Sequence, residues 1–247
     1  MVRSLHINCD VGEDDALGQL LPYDDLLPHI SAVNIACGFH AGNPQLIAMI
    51  TEKCIKYRVE IGLHPSYMDK KNFGRLIINE DPQKLYHDII YQLSAGRAIV
   101  ENCGGSVGHI KPHGALYNHT AENKQQCLAV YEAIKDTNPE WTVFGLPKTF
   151  HQEIAYEKEI AFKAEAFADR LYEDEKRLKN RSYKGAVFSD SKKVIQQIEE
   201  IQDGYINTEK AGIQSMHADT FCIHGDNEEV VNLLHDISNH FEIVKAK

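Results

Sequence analysis

Short apolar runs alternate along the chain with longer amphipathic stretches of about 12–20 residues, a spacing typical of strands and helices in turn. In βαβα proteins the helices return the chain, so that successive strands run parallel in one sheet or barrel. The pattern therefore indicates an α/β fold built on parallel strands. Seven strands are predicted, at Val2–Asn8, Ile30–Ala36, Glu60–Leu63, Val107–Lys111, Trp141–Leu146, Ile160–Ala164 and Thr220–His224.

Several amphipathic stretches begin with recognisable helix start signals. Two of them open with Asn or Asp followed by Pro, which is an N-cap residue ahead of a proline at the first helical position. The last opens with Asp and has Glu three residues later, the spacing of a capping box. The predicted helices run from Pro44 to about Tyr57, from Pro82 to about Asn102, from Ser189 or Asp190 to Ile201, and from Asp226 to near Phe241.

Two segments interrupt the alternation. Arg170–Lys184 has nine charged residues among fifteen and little apolar periodicity, which predicts a long surface loop. Loops longer than about 12–15 residues in compact domains are often lids or binding loops, so this segment is a candidate to close over a site. Gly204–Met216 predicts a short hairpin with its turn near Glu209–Gly212.

Composition narrows the class of protein. The chain has 247 residues, 43% hydrophobic and 25% charged, as expected of a soluble globular protein. Because α/β barrels of about 200–250 residues are routinely one domain, we expect residues 1–247 to form a single barrel domain. The six cysteines are dispersed and are expected to be reduced.

Charge and hydropathy exclude two kinds of partner. The 26 Lys and Arg against 36 Asp and Glu give a net charge of −10, and no basic cluster offers a face for nucleic acid. No apolar run reaches the roughly 18 residues of a membrane span, and the first residues lack the apolar core of a signal peptide. The cytoplasm is therefore the expected location.

Chemically capable side chains follow five of the predicted strands at the point where each strand ends. The carboxyl ends of parallel strands meet on one face, where α/β proteins place their sites. Each residue taken alone is also explained as a cap or a satisfied buried group, but five such endings together favour an active site. The residues are Asn8 and Asp10, His40, His64, Lys111 and His113, and His224 and Asp226.

The common nucleotide and hydrolase motifs are missing from the sequence, which has no G-x-x-x-x-G-K-[ST], no G-x-G-x-x-G after a strand, no G-x-S-x-G and no H-E-x-x-H. A nucleotide site would have to use other residues. Asp10, His40 and His64, at three strand ends, form a candidate site for a divalent metal ion with a position left for water. These three residues are far apart in the sequence, so their spacing cannot identify a metal site.

The strand ends belong to longer motifs. In chain order these are Asn8-x-Asp10-x-Gly12-Glu13, Asn34–Gly42, Ile61–Tyr67 with Phe73-Gly74-Arg75, Lys111–Tyr117, Phe167-Ala168-Asp169-Arg170 and Cys222–Asp226. They resemble the LamB/YcsF lactam-utilisation family from about Asn8 onward. The sequence departs from the family pattern at Asn43, where Asp is usual, and at Ser66 and Met68, which replace Gly and Pro.

The resemblance implies a fold and an activity. The fold is a distorted seven-stranded β/α barrel, TIM-like and related to the glycoside hydrolase and polysaccharide-deacetylase barrels. The activity is that of a 5-oxoprolinase component, which opens 5-oxo-L-proline to L-glutamate by ATP-dependent hydrolysis in a complex with two other subunits, of B and C type. ATP is thus the expected cofactor, with a divalent metal ion as a further candidate.

A lactam is a resonance-stabilised amide, so ATP would supply driving force, most simply by phosphorylating the carbonyl oxygen before water attacks. Asp10 is the candidate base, alone or through a metal ion, and Lys111 and Arg170 are candidates to stabilise negative charge. Asp169 is expected to orient a neighbour. Imidazole titrates near neutral pH, so four histidines are candidates for proton transfer or metal ligation: His40, His64, His113 and His224.

Two alternatives stay open at this point. One is a stand-alone, metal-dependent amide or N-acetyl hydrolase of deacetylase type, which turnover with metal but without ATP would favour. The other is a non-catalytic ligand-binding or scaffold subunit whose partners carry the chemistry. The missing phosphate loop is compatible with this second alternative.

Overall fold

The computed structural model describes residues 2–18, 20–174, 177–179, 183–224 and 230–246. The strands in these ranges are β1 (Ser4–Leu5), β2 (Ile7–Val11), β3 (Ala32–Ala36), β4 (Glu60–His64), β5 (Val107–Ile110), β6 (Thr142–Gly145), β7 (Phe162–Phe167), β8 (Tyr172–Asp174), β9 (Arg177–Leu178), β10 (Tyr205–Thr208), β11 (Gly212–Ser215), β12 (Thr220–His224) and β13 (Glu242–Ile243). The helices are α1 (Asp14–Leu17), α2 (Tyr23–Leu26), α3 (Pro44–Tyr57), α4 (Pro82–Asn102), α5 (Gly114–Glu122), α6 (Lys124–Thr137), α7 (Phe150–Glu157), α8 (Ser191–Gln202) and α9 (Val230–His240), with short 3₁₀ turns at Leu27–His29 and Lys70–Asn72.

Seven parallel strands close into a barrel in the order β12-β2-β3-β4-β5-β6-β7. The barrel closes at β12, which pairs with β2 on one side and with β7 on the other. The predicted seven-stranded β/α barrel is therefore confirmed. None of the helices in the described part of the chain is long and apolar enough to cross a membrane.

The first predicted strand, Val2–Asn8, is wrong at its ends. The structure divides it into β1, which pairs with β13 outside the barrel, and β2, which continues to Val11 and so includes Asp10. Strand β7 likewise runs beyond the predicted Ala164. Both extensions contain charged side chains that face the barrel interior, and these interrupt the apolar runs from which the strand ends were predicted.

The predicted surface loop Arg170–Lys184 is wrong in part, because β8 and β9 pair there as an antiparallel hairpin. Tyr172 anchors this hairpin: its buried hydroxyl accepts a hydrogen bond from the backbone N–H of Phe167 at 2.8 Å. The predicted hairpin over Gly204–Met216 is confirmed as β10 and β11. The predicted start of the last helix, at residues 226–229, lies outside the described residues.

The barrel interior is filled by hydrogen-bonded polar side chains. Along β2, Ile7 and Cys9 pack outward in the apolar core, while Asn8 faces inward and is completely buried. The Asn34 amide donates to Asn8 Oδ1 at 2.8 Å, and the ring of His109 lies 2.8 Å from Asn34 Oδ1. Gly62 makes room for that ring, since a Cβ at this position would lie 2.1 Å from His109 Nε2.

Buried His151 joins α5, which follows the Lys111–His113 turn, to α7. Its Nδ1 accepts from the Leu146 backbone N–H at 3.1 Å. Its Nε2 lies 2.9 Å from Thr120 Oγ1, whose own proton goes to the Leu116 carbonyl, so Nε2 is the donor. The ring is therefore neutral, and burial lowers the pKa of His151 to about 3.

Acid is expected to destabilise the protein through His151. The pKa of this side chain is about 3 when folded and 6.5 when unfolded, so its contribution to stability is complete above pH 6.5 and is lost as the pH falls toward 3. Between pH 7.5 and pH 5 the loss is about 2 kcal/mol, to be measured by urea unfolding. The His151→Gln variant should lose this part of the pH dependence and exposed His87→Gln should keep it. Equal pH dependence in wild type and His151→Gln would contradict the assignment.

Candidate active site

A cavity of about 1110 Å³ opens at the carboxyl ends of the barrel strands. The strand ends thus converge as the parallel arrangement predicts. His40 and Asp169 lie behind the cavity wall, where each contacts a residue that lines it. Six of the eight predicted site residues line the cavity directly: Asp10, His64, Lys111, His113, Arg170 and His224.

Lys111 is buried at the base of the cavity. Its charged amine is surrounded by hydrogen-bond acceptors. Its Nζ lies 2.9 Å from Glu165 Oε1, 3.0 Å from Asp10 Oδ1, 3.1 Å from Asn8 Oδ1 and 3.0 Å from Cys222 Sγ. Burial alone would lower the pKa of Lys111, but Asp10, Cys222 and Glu165 outweigh it and raise that pKa well above its usual value. The amine is therefore a fixed positive charge.

Asp10 is the carboxylate that this charge holds in place. Its Oδ1 accepts from the Asn34 amide at 2.8 Å and from Lys111, while Oδ2 faces His64 Nε2 at 3.4 Å. Burial would raise the pKa of Asp10, but the neighbouring His64 and Lys111 hold it well below its usual value. Asp10 is thus a charged carboxylate whose Oδ1 is held by Asn34 and Lys111 and whose Oδ2 faces His64.

A second group of buried side chains contains three predicted histidines and one residue that was missed, Glu13. Glu13 Oε1 lies 2.9 Å from His40 Nε2 and 3.3 Å from His113 Nδ1, and His113 Nδ1 lies 3.0 Å from His64 Nε2. Burial and then the adjacent His40 hold the pKa of His113 well below its usual value.

The predicted metal set of Asp10, His40 and His64 is divided between two clusters that could each hold an ion. His40 and His64 belong with Glu13 and His113, all four within 4.8 Å of one another. Asp10 belongs with Cys222 and His224.

Asp169 and His224 form a carboxylate–imidazole pair at the end of β12. Asp169 Oδ1 lies 3.0 Å from His224 Nδ1, and Oδ2 accepts from the His224 backbone N–H at 3.2 Å. Because a carboxylate only accepts, Nδ1 carries the hydrogen, and Nε2 is the nitrogen left for other partners. Asp169 therefore fixes the orientation of the His224 ring, while its role in a reaction stays a prediction.

The charged segment after β7 forms one wall of the cavity. Arg170 is buried, and its Nη2 donates to the Lys179 carbonyl at 2.6 Å, which fixes the β8–β9 hairpin. From that hairpin Glu173 and Arg177 line the cavity, and Arg75 lines it from another loop. Three arginines therefore surround a cavity whose base holds a charged carboxylate.

Sequence reasoning missed Glu13 and Glu165 as site residues. Glu13 stands in the first motif, three residues after Asp10, so the motif itself was the available signal. Glu165 lies on β7 two residues after Lys163 and between Ala164 and Ala166, and this polar–apolar alternation is what a strand with one polar face produces. Its complete burial against Lys111 could not be read from the sequence.

The fold and the polar cavity define a parallel β/α barrel with a site at the strand carboxyl ends. Comparison with known proteins agrees: the LamB/YcsF family matches residues 5–246, and the chain belongs to this family. It is 38% identical over 241 residues to the A-type 5-oxoprolinase subunit of Bacillus cytotoxicus, covering 97% of this chain and 96% of that protein. It is 36% identical over 244 residues to the A-type 5-oxoprolinase subunit of Bacillus cereus, covering 98% and 96%.

A solved structure extends the likeness to three dimensions. The crystal structure of a lactam utilization protein from Thermus thermophilus superposes with a TM-score of 0.89 at 28% identity. The match covers 98% of this chain and 99% of that one, so the two barrels correspond over their whole length.

Replacing Lys111 with Met is expected to lower the free energy of unfolding by about 3–5 kcal/mol, because Asp10 and Glu165 would keep buried charges without their cation. Urea unfolding at pH 7.5 measures this. Adding Glu165→Gln to Lys111→Met should recover part of the loss, and exposed Lys193→Met should change little. A loss below about 1 kcal/mol in Lys111→Met would contradict the charged network.

Proposed function

We propose that this chain is the A-type component of a 5-oxoprolinase and that its cavity opens 5-oxo-L-proline to L-glutamate in a reaction coupled to ATP hydrolysis. The observation that carries the proposal is the convergence of a charged carboxylate, a carboxylate–imidazole pair and three arginines on one cavity. The relatives matched along their length are named as A-type subunits of 5-oxoprolinase, which supports the same substrate and a multi-subunit enzyme.

The chemistry explains why such groups are needed. Transfer of the ATP γ-phosphoryl group to the lactam oxygen makes the ring carbon electrophilic. Water then adds to that carbon, the C–N bond breaks, and the nitrogen takes a proton. The remaining acyl phosphate is hydrolysed by a second water, so one ATP and two waters are consumed for each glutamate. Each step needs a proton acceptor, fixed cations or a proton donor.

The proton acceptor we propose is His224. Asp169 holds the hydrogen on Nδ1, which leaves Nε2 with a lone pair, and the His224 side chain lines the cavity. Asp10 was the candidate base from sequence, but a carboxylate bound this strongly to Lys111 is a poor proton acceptor. We assign Asp10 to orienting the attacking water through Oδ2, because Oδ1 is already held by Asn34 and Lys111.

The cations of the cavity wall suit a phosphorylated intermediate. Arg75, Arg170 and Arg177 line the cavity, and arginine recognises phosphate through paired N–H donors. Lys111 contributes differently, since its contacts within the barrel keep Asp10 charged and in position. ATP and the B- and C-type subunits are part of the proposal, supported by the relatives' designation as one subunit of several.

One specific observation favours a second candidate, a stand-alone metal-dependent amide or N-acetyl hydrolase. This is the cluster of Glu13 with His40, His64 and His113, whose donor atoms suit a metal ion. The two candidates differ in their need for ATP and for partner subunits.

Glutamate release from 5-oxo-L-proline is expected only when this protein, its B- and C-type partner subunits and ATP are all present. Release would be measured by a coupled glutamate assay with each component left out in turn. Release by this chain with metal but without ATP would favour the second candidate instead. No release in any combination would contradict the proposed function.

Asp10→Asn and His64→Ala are expected to remain folded and to lower turnover in the assembled enzyme by at least about 100-fold, because Asp10 orients the attacking water and His64 faces Asp10 Oδ2. Exposed Asp236→Asn and His87→Ala are the matched controls and should retain turnover. Circular dichroism and urea unfolding check that the variants are folded. A folded Asp10→Asn protein with ordinary turnover would overturn the assignment and favour a non-catalytic binding role.

A further inference from the structure

Two buried histidines that line the cavity, His64 and His113, have ring hydrogens whose positions are fixed by backbone carbonyl groups. His64 Nδ1 lies 2.6 Å from the Lys111 carbonyl oxygen, and His113 Nε2 lies 2.9 Å from the Phe73 carbonyl oxygen. A carbonyl oxygen only accepts, so both of these nitrogens carry hydrogens. In the neutral rings the opposite nitrogens, His64 Nε2 and His113 Nδ1, therefore carry lone pairs.

These lone pairs face each other. His64 Nε2 and His113 Nδ1 are 3.0 Å apart, and the Glu13 carboxylate oxygen Oε1 lies 3.3 Å from His113 Nδ1. All three side chains are buried, so bulk water does not separate them. Asp10 Oδ2 also lies 3.4 Å from His64 Nε2, so these acceptors repel one another unless a positive charge lies between them.

We propose that Glu13 Oε1, His64 Nε2 and His113 Nδ1 bind one divalent transition-metal ion of the zinc class, with a fourth position open toward the cavity. Tetrahedral zinc has bonds of about 2.0–2.1 Å, which separates neighbouring ligand atoms by about 3.3 Å. The two separations here are 3.0 and 3.3 Å. Imidazole nitrogens select zinc and its neighbours over magnesium and calcium.

His40 supports this site without binding the ion. Its ring lies parallel to that of His113, with centroids 3.7 Å apart and an interplanar angle of 7°. An ion in the plane of the His113 ring is therefore far outside the plane of His40, whose lone pair cannot reach it. His40 Nε2 instead lies 2.9 Å from Glu13 Oε1, and Nδ1 lies 3.0 Å from Ser66 Oγ. His40 is a positioning residue for the Glu13 carboxylate.

This set replaces two members of the metal site expected from sequence. His64 is retained, while Glu13 and His113 take the places of Asp10 and His40. The inference does not depend on the proposed function, because metal binding is measured without substrate, ATP or partner subunits.

The test uses the full chain after treatment with a chelator, titrated with Zn²⁺ by calorimetry and with Co²⁺ by visible absorption at pH 7.5. We expect one ion per chain and the intense visible bands of tetrahedral Co²⁺. His113→Ala and Glu13→Gln should each weaken binding at least 100-fold. His40→Ala should weaken it about 10-fold and retain the tetrahedral spectrum, since it acts through Glu13.

His224→Ala is the matched control, because it removes a ligand of the other candidate cluster, and it should leave Zn²⁺ affinity unchanged. Circular dichroism checks folding, and Glu13→Gln preserves side-chain volume if an alanine variant fails to fold. Less than about 0.1 ion per chain in the wild type would overturn the site and leave protons as the charge between the rings. Undiminished binding in His113→Ala or Glu13→Gln, or its loss in His224→Ala, would also overturn it.

Discussion

The rest of the site depends on one buried charge, the Lys111 amine. A lysine sealed inside a barrel is stable only if anions compensate it, and here Asp10 and Glu165 do so from β2 and β7. Lys111 itself follows β5, so the charge cluster joins parts of the barrel wall that are not adjacent in the strand order. Asp10 is thereby held charged in one orientation. The side chains that contact it, Asn34 and His64, are positioned by it in turn. The barrel is organised around an ionic centre as well as an apolar shell.

The sequence predicted the barrel well because its outward faces are apolar. Ile7 and Cys9 pack against the helices, and such residues produced the apolar runs. The last residues of β2 and β7 could not be predicted in the same way, since the inward polar side chains of Asp10 and Glu165 interrupt those runs. The hairpin within Arg170–Lys184 was missed because its anchor is a hydrogen bond from the Phe167 backbone N–H to the Tyr172 hydroxyl, which the hydrophobic pattern does not show. Which site residues contact one another depends on the register between neighbouring strands. The local sequence pattern carries no information about that register.

The positions of the His40 and His113 side chains are fixed partly by the loop after β4, which lies outside the barrel. Phe73 supplies the carbonyl that orients His113, and Gly74 follows with φ of +61°. A Cβ at Gly74 would lie 2.8 Å from His113 Cδ2 and 2.9 Å from His40 Cβ, so only glycine lets the backbone approach both histidine side chains. The positions of the imidazoles are therefore as much a property of this loop as of the strands that carry them.

The closure of the barrel between β2 and β12 has a consequence for synthesis on the ribosome. The strands join in chain order, so β2 keeps an unpaired edge until β12, near the end of the chain, emerges. An open sheet with an apolar concave face would invite association with other nascent chains. Here the concave face carries Asn8, Asn34, Lys111 and Glu165, which water can solvate until closure. The polar interior side chains therefore allow water to solvate the incomplete sheet until β12 is synthesised and pairs with β2.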